Sequence, residues 1–270
     1  MRKSSCLVIG ALALLVVSGC SSSSKTTSTT STVSTPPTTP LASTLTVTQV
    51  AEPALGAPFP ATLKATYPQV HSPSVDLTKV NAVLRSVSIA DEQQFAHGEP
   101  VPCTGAICTK GSYTASPEVT VASVQVVSVL TSIQGFYPGA AHPNQHWLAI
   151  NVEVPSGKRI ALADLFQNPI AALKLIAPVV RTNLKDDRCI APSWQGTPAT
   201  AFPTGIGPTP QNYSSLALTP AGLDVGFDQG QIAAEACGSR EVIVPWSVVQ
   251  SSLTTLGAQW VAAATNAPTN

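Results

Sequence analysis

The densest group of chemically capable side chains is His142-Pro143-Asn144-Gln145-His146, with Tyr137 before it and Trp147 directly after. Two histidines four apart on a helix share one face and can bind a metal. Pro143 and the strand-like residues that follow oppose a helix there, and no carboxylate stands nearer in sequence than Glu153. No metal is assigned. Tyr137, His142, Asn144 and Trp147 instead combine aromatic faces with polar tips, a mixture suited to recognising sugars or peptides, and they are the candidate ligand contacts. The plainer alternative is a structural loop, with His142 hydrogen-bonded inside it and His146 at a strand edge. A serine hydrolase would need a serine with His142 and Asp164 or Asp224, and such a triad is defined by geometry, not by order. No Gly-x-Ser-x-Gly elbow, His-Glu-x-x-His pair or phosphate-cradling glycine loop occurs. No catalytic residue and no cofactor is assigned on this evidence.

Sulfur carries the other chemistry. Arg2 and Lys3, the apolar run Leu7 to Val17, and Ser18-Gly19-Cys20 have the layout of a bacterial secretory signal whose cleavage site is also a lipid-attachment site. The apolar run is shorter than the ~20 residues a membrane span needs. The expectation is a signal at 1–19 and a lipid-carrying Cys20, anchored stably if it bears more than one acyl chain. Cys103, Cys108, Cys189 and Cys237 remain. In an exported chain they are expected as two disulfides, with Cys103–Cys108 and Cys189–Cys237 favoured among the three pairings. Zinc is disfavoured, because only the first two cysteines are close in sequence.

The elements that must position these residues follow from pattern. Residues 20–44 form a tether: fifteen of the twenty residues from Ser21 to Pro40 are Ser or Thr and three are Pro, leaving almost nothing apolar to offset the entropy of ordering. The same mixture is that of an O-glycosylated stalk. A folded domain is expected over 45–264, with a short disordered tail at 265–270. Leu63 to Val70 reads as a strand, and Asp76 can cap a helix running to about Ala96. Val119 to Leu130 changes apolar phase near Ser123, which predicts a bulge or a strand covered on both faces. Trp147 to Val154 alternates cleanly and turns at Pro155-Ser156-Gly157-Lys158 into a return strand. Asn168-Pro169 opens a helix with the stripe Ile170, Leu173, Ala177, Val180, Leu184 and a kink at Pro178. Asp186-Asp187 beside Arg188 reads as a solvated helix end. Residues 191–212 read as loop. Strands then flank Thr219-Pro220-Ala221-Gly222, Val242 to Trp246 is a last strand, and Val249, Leu253, Leu256 and Trp260 line a closing helix. Strands arriving as hairpins with helices between them indicate an α+β fold: an antiparallel sheet with packed helices, in one domain that can be built as two lobes.

Several stretches resemble a known family. Tyr67-Pro68-Gln69-Val70 with the helix around Val80-Asn81, Tyr137 to Asn144, Ser156-Gly157-Lys158 leading to Leu162-Ala163-Asp164-Leu165-Phe166, Leu218 to Leu223 and Gly238 to Trp246 occur in the order found in the C-terminal extracytoplasmic domain of RsiV-type anti-sigma factors. A secreted mycobacterial immunogenic protein family is similar. The resemblance implies an extracytoplasmic α+β domain, often membrane-anchored. Neither sigma-factor regulation nor lysozyme binding is carried over by these motifs.

Charge narrows the partners. Loss of 1–19 takes one Arg and one Lys from a formally neutral chain, leaving a net charge of −2 and no basic cluster. Nucleic acid needs concentrated positive charge and is excluded as a partner. The expected role is a lipoprotein on the extracytoplasmic face of the cell membrane, held there by its lipid, whose module binds a wall polymer or a secreted protein without catalysis. A serine-type esterase or deacylase acting on envelope lipids or glycans is the alternative.

Overall fold

The computed structural model describes residues 45–52, 55–99, 110–194 and 204–267. The signal, the tether, Cys20, Cys103 and Cys108 lie outside the described residues. The chain from Ala42 onward groups as one compact unit, and its fold is α+β.

Among the described residues, three sheets build it. β1 (Thr46–Ala51) and β3 (Thr66–His71) form an antiparallel ribbon. β2 (Ala61–Lys64), β4 (Gly111–Ala122), β5 (Val126–Phe136) and β6 (Asn144–Glu153) form a sheet in the order β2-β4-β5-β6. β7 (Ser215–Leu218), β8 (Gly222–Phe227) and β9 (Arg240–Pro245) form the third. Every pairing is antiparallel except β2 with β4, which is parallel. The single strand expected over Leu63 to Val70 is therefore two, broken at Ala65 and shared between two sheets.

The phase change near Ser123 is a hairpin. Ser123 Oγ accepts from Gln125 N and Val126 N and closes the turn between β4 and β5. A bulge also lies between Val119 and Val121. It sends Thr120 and Val121 to one face, and the sheet is covered on both. One face packs on α1 (Thr78–Ala96), where Val80 and Leu84 meet Val127, Val129, Ile150 and Val152. Asp76 Oδ1 accepts from Thr78 N at 3.0 Å at the start of α1. Asn81 then exchanges two 2.9 Å hydrogen bonds with the backbone of Val70, tying α1 to β3.

The other face receives β7 through a polar network. Among the described strands β7 pairs only with β8, so its second edge would leave buried backbone groups unsatisfied. Asn151 Nδ2 donates to Leu216 O at 2.7 Å, and Leu218 N donates to Ser128 Oγ at 2.9 Å and Asn151 Oδ1 at 3.1 Å. Thr120 Oγ1 donates to Leu218 O at 2.6 Å. Ser128 and Asn151 are buried polar residues on the pleat between apolar positions.

Beyond β7–β9 lies the largest apolar cluster, which takes in α3 (Pro169–Leu184). Asn168 Oδ1 accepts from Ala171 N and Pro169 stands at the first position, as the sequence requires. The buried stripe is Ala172, Leu173, Ile176, Val180 and Leu184, whereas Ile170 is exposed. The return strand expected after Lys158 is one bridge, Val152 to Arg159, before a helical turn α2 (Leu162–Leu165). Within the segment read as loop, α4 (Ile190–Trp194) and a 3-10 turn (Pro210–Tyr213) are helical. The closing helix is Thr255–Thr265, capped by Thr254, and it buries Gly257, Trp260 and Ala264 while Leu256 is exposed. Cys189 and Cys237 are disulfide-bonded.

One buried group opposes folding. Glu92 on α1 is 0% exposed, and among the described residues neither carboxyl oxygen has a hydrogen-bond partner. Burial, reinforced by the charge of Glu52, raises its pKa.

Replacing Asn151 by Leu strands the Leu216 carbonyl and weakens the partnering of Leu218 N–H, and should cost about 2–3 kcal/mol in urea unfolding. Replacing exposed Gln259 by Ala should stay within about 0.5 kcal/mol. For Glu92 the sign runs the other way. A raised native pKa gives full stability below the ordinary carboxylate range and loses it as pH rises through the native value. Glu92→Met should therefore be more stable than the native chain by about 1–3 kcal/mol at neutral pH, with the difference narrowing as pH falls and the carboxyl protonates, in paired denaturation curves.

Candidate functional site

A cleft of 460 Å³ lies where α1, the end of β5, the start of β6 and the segment after β8 converge. Asp91, Gln94 and Phe95 come from α1 at positions three and four apart, which share one helix face. Asn144 and His146 come from β6, two apart and so on one face of the strand. Gly135, Tyr137, Asp228 and Gln229 complete the lining.

Aromatic packing shapes one wall. Phe95 and Tyr137 stack with ring centroids 4.4 Å apart and planes at 27°, and Phe59 meets Phe95 edge-on at 6.1 Å. Tyr137 Oη donates to Phe95 O at 3.1 Å. Gly98 makes that ring position available, since a Cβ there would stand 2.2 Å from Tyr137 Oη.

The polar wall centres on Asp91. His146 Nε2 lies 3.0 Å from its Oδ1 and 3.1 Å from its Oδ2, and Tyr113 Oη donates to Oδ2 at 2.8 Å. Burial by itself lowers the pKa of His146, but the hydrogen bond and charge of Asp91, with Asp228 behind it, outweigh burial and raise it above 6.5. Asp228 is itself raised, chiefly by burial, while Trp147 N–H and His146 pull it down. Burial and Asp91 together raise both Tyr113 and Tyr137.

Asp228 is placed by the free edge of β6. Its Oδ1 accepts from Trp147 N at 2.8 Å, Gln229 exchanges two 2.9 Å bonds with the backbone of Gln145, and Ser215 Oγ donates to Trp147 O at 2.6 Å. Side chains here stand in for a missing neighbouring strand and keep the edge from pairing elsewhere. The Cys189–Cys237 disulfide braces the adjoining turn. There Arg240 Nε meets Asp187 Oδ2 at 3.0 Å, and Asp187 Oδ1 accepts from Cys189 N and Ile190 N. Asp187 is thus a structural clamp, held below the usual carboxylate range mainly by Arg240, and not part of a solvated face.

Of the four residues expected to contact a ligand, Tyr137 and Asn144 line the cleft and His142 and Trp147 do not. His142 is exposed, with Nε2 3.0 Å from Glu235 and Nδ1 near Pro143 O and Gln229. Trp147 turns to the opposite face, where a Cβ on Gly226 would stand 2.5 Å from its Cβ. The two histidines of the 142–146 stretch have separate carboxylate partners, Glu235 and Asp91. The residues considered for a hydrolase do not meet either. Among the described residues, the partners of His142 are Glu235, Pro143 O and Gln229, and none is a serine, Asp164 or Asp224. Asp164 is held by Lys158 Nζ and Ala161 N. Asp224 is buried with an unpartnered Oδ1, and burial, Glu241 and Glu118 push its pKa up to about 6.

Residues 163–247 match a family described as "Protein of unknown function (DUF3298)". The immunogenic proteins MPB64 of Mycobacterium bovis and MPT64 of Mycobacterium tuberculosis are each 28% identical over 115 residues, covering 43% of this chain and 47% of theirs. The match spans about half the length of those relatives. A crystal structure of a DUF3298 family member from Bacteroides fragilis aligns with a TM-score of 0.55 at 16% identity, over 79% of this chain and 95% of that one. That likeness establishes a shared fold.

Asp91→Asn should lower the pKa of His146, because burial is then opposed only by the charge of Asp228. The native chain should show the reverse, with the His146–Asp91 pair stabilising fully below pH 6.5 and its contribution lost as pH rises through the raised value. Titration of the His146 ring signals by NMR in both proteins reads this directly.

Proposed function

We propose that this protein is an envelope lipoprotein whose α+β domain binds a wall glycan without turning it over. One observation carries the reading: a stacked Phe95–Tyr137 wall faces a set of planar polar side chains, Asp91, Gln94, Asn144, His146, Asp228 and Gln229, across one cleft. A sugar ring presents an apolar C–H face and a rim of hydroxyls. The aromatic wall matches the first. The amides, carboxylates and imidazole match the second, since each can take paired hydrogen bonds. The volume falls within the range of small-ligand sites. His146, hydrogen-bonded to Asp91, leaves Asp228 as the surplus acceptor. That balance favours a neutral or N-acetylated sugar over an acidic one.

The absence of a serine, threonine or cysteine in the described cleft lining supports binding over acyl transfer. The signal-like start, Cys20 and the Ser/Thr-rich tether support display on the extracytoplasmic face. The Cys189–Cys237 bridge fits an oxidising compartment. The likeness to RsiV-type extracytoplasmic domains agrees with this placement.

Calorimetric titration of the full chain with N-acetylhexosamine oligomers and solubilised wall fragments should give saturable binding. Tyr137→Ala and Asp228→Asn should each weaken it at least tenfold, the latter while keeping an acceptor for Trp147 N–H. Saturable binding indifferent to both changes, or none at all, would sink the proposal.

A further inference from the structure

A second cavity, of 330 Å³, opens between β6, the Arg159–Leu165 segment and the start of β7. It shares no lining residue with the cleft around Asp91 and stands or falls separately. Its walls are mainly apolar, formed by Ile160, Leu162, Leu165, Leu216, Leu218 and the ring of Tyr213, with Asn151 and Ser214 the polar lining besides Arg159. The Tyr213 hydroxyl is turned away, donating to Ile206 O at 2.9 Å. Exposed Arg159 lines the same cavity, and among the described residues no carboxylate pairs with it. Its Nη2 donates to Ala149 O at 3.1 Å, which holds the guanidinium at this edge of β6.

The backbone adds a second donor. Along the free edge of β6 the N–H groups of Gln145, Trp147 and Glu153 meet Gln229, Asp228 and Lys158. The unbroken β5–β6 register turns Ala149 N–H to the same edge. No acceptor meets it among the described residues, and Ala149 lines the cavity.

We propose that this cavity binds a single-chain anionic amphiphile, its tail among the leucines and its head group on Arg159 and Ala149 N–H. Apolar cavities take up apolar guests and hold water poorly. An unpaired guanidinium beside one selects for an anion in bidentate contact. An apolar cavity of ~150 Å³ takes one benzene, so this one takes a chain of roughly ten carbons. A diacyl lipid does not fit.

The test titrates decanoate, decyl phosphate and decanol, each below its aggregation limit, into the full chain. Amide shifts around Ala149 and Ile160 are followed by NMR. One-to-one saturation by at least one anion is expected, and the tighter head group tells whether a fatty acid or a phosphate monoester is the source. Arg159→Gln should weaken the anion at least tenfold and leave decanol unchanged, and Arg159→Lys should restore most of the loss. Ser214→Phe, at an exposed lining position, should weaken all three ligands with the fold intact. Failure of both anions to saturate, or anion binding indifferent to Arg159→Gln or to Ser214→Phe, overturns the proposal.

Discussion

A strand edge that ends against the face of another sheet cannot be served by solvent or by a further strand. In this protein that edge is β7, and its outward N–H and C=O groups would each cost about 1–3 kcal/mol if buried bare. Asn151, Ser128 and Thr120 meet them from neighbouring strands. The geometry is demanding, because the three side chains must rise from the same face of one sheet. The bulge between Val119 and Val121 is what brings Thr120 to that face beside Val121. With β7 held there, β8 is carried along, and the segment after it delivers Asp228 and Gln229 to the free edge of β6. The cleft is thus a downstream result of a polar contact between sheets.

The same strand explains why the site was only half legible. Alternation over Leu148, Ile150 and Val152 was plain in the sequence, and so was the turn after it. Starting the strand at Trp147 left Asn144 to His146 in a loop, where any side chain can point anywhere. The strand starts at Asn144. Side chains then alternate strictly, so Asn144 and His146 fall on the face of Leu148, while Gln145 and Trp147 fall on the other. Parity carried through three more residues would have exchanged Trp147 for His146. Asp91 was also within reach: it precedes Phe95 by four residues on a helix expected after Asp76 and ending, as expected, at Ala96.

Other parts were beyond a single sequence for a physical reason. Local signals held: the Asn168 cap, the Thr219 to Gly222 turn and the α+β class are set by neighbours in the chain. The parallel pairing of β2 with β4, the partition of Leu63 to Val70 between two sheets and the approach of Asp228 to Trp147 depend on residues 15 to 81 positions apart. Short strands such as β2, with four residues, carry too little periodicity to announce a partner. Glu92 was missed from the opposite direction, since a charged residue on an amphipathic helix normally faces water. Its burial is legible only once β3 and Glu52 are packed nearby.

One edge of β6 therefore does two different jobs along its length. Near Asn144 it is closed by Gln229, Asp228 and Ser215, and the closing residues supply the acceptors of the polar cleft. Near Glu153 it is closed by the Lys158–Ile160 backbone. Between these caps, among the described residues, only Arg159 reaches it, at the carbonyl of Ala149. A second capping strand over that gap would have filled the space with backbone. The single bridge at Val152–Arg159 instead lets the chain peel away into α2, whose Leu162 and Leu165 roof an apolar hollow. The return strand that the sequence pattern led one to expect is thus the element whose shortness leaves the second cavity open.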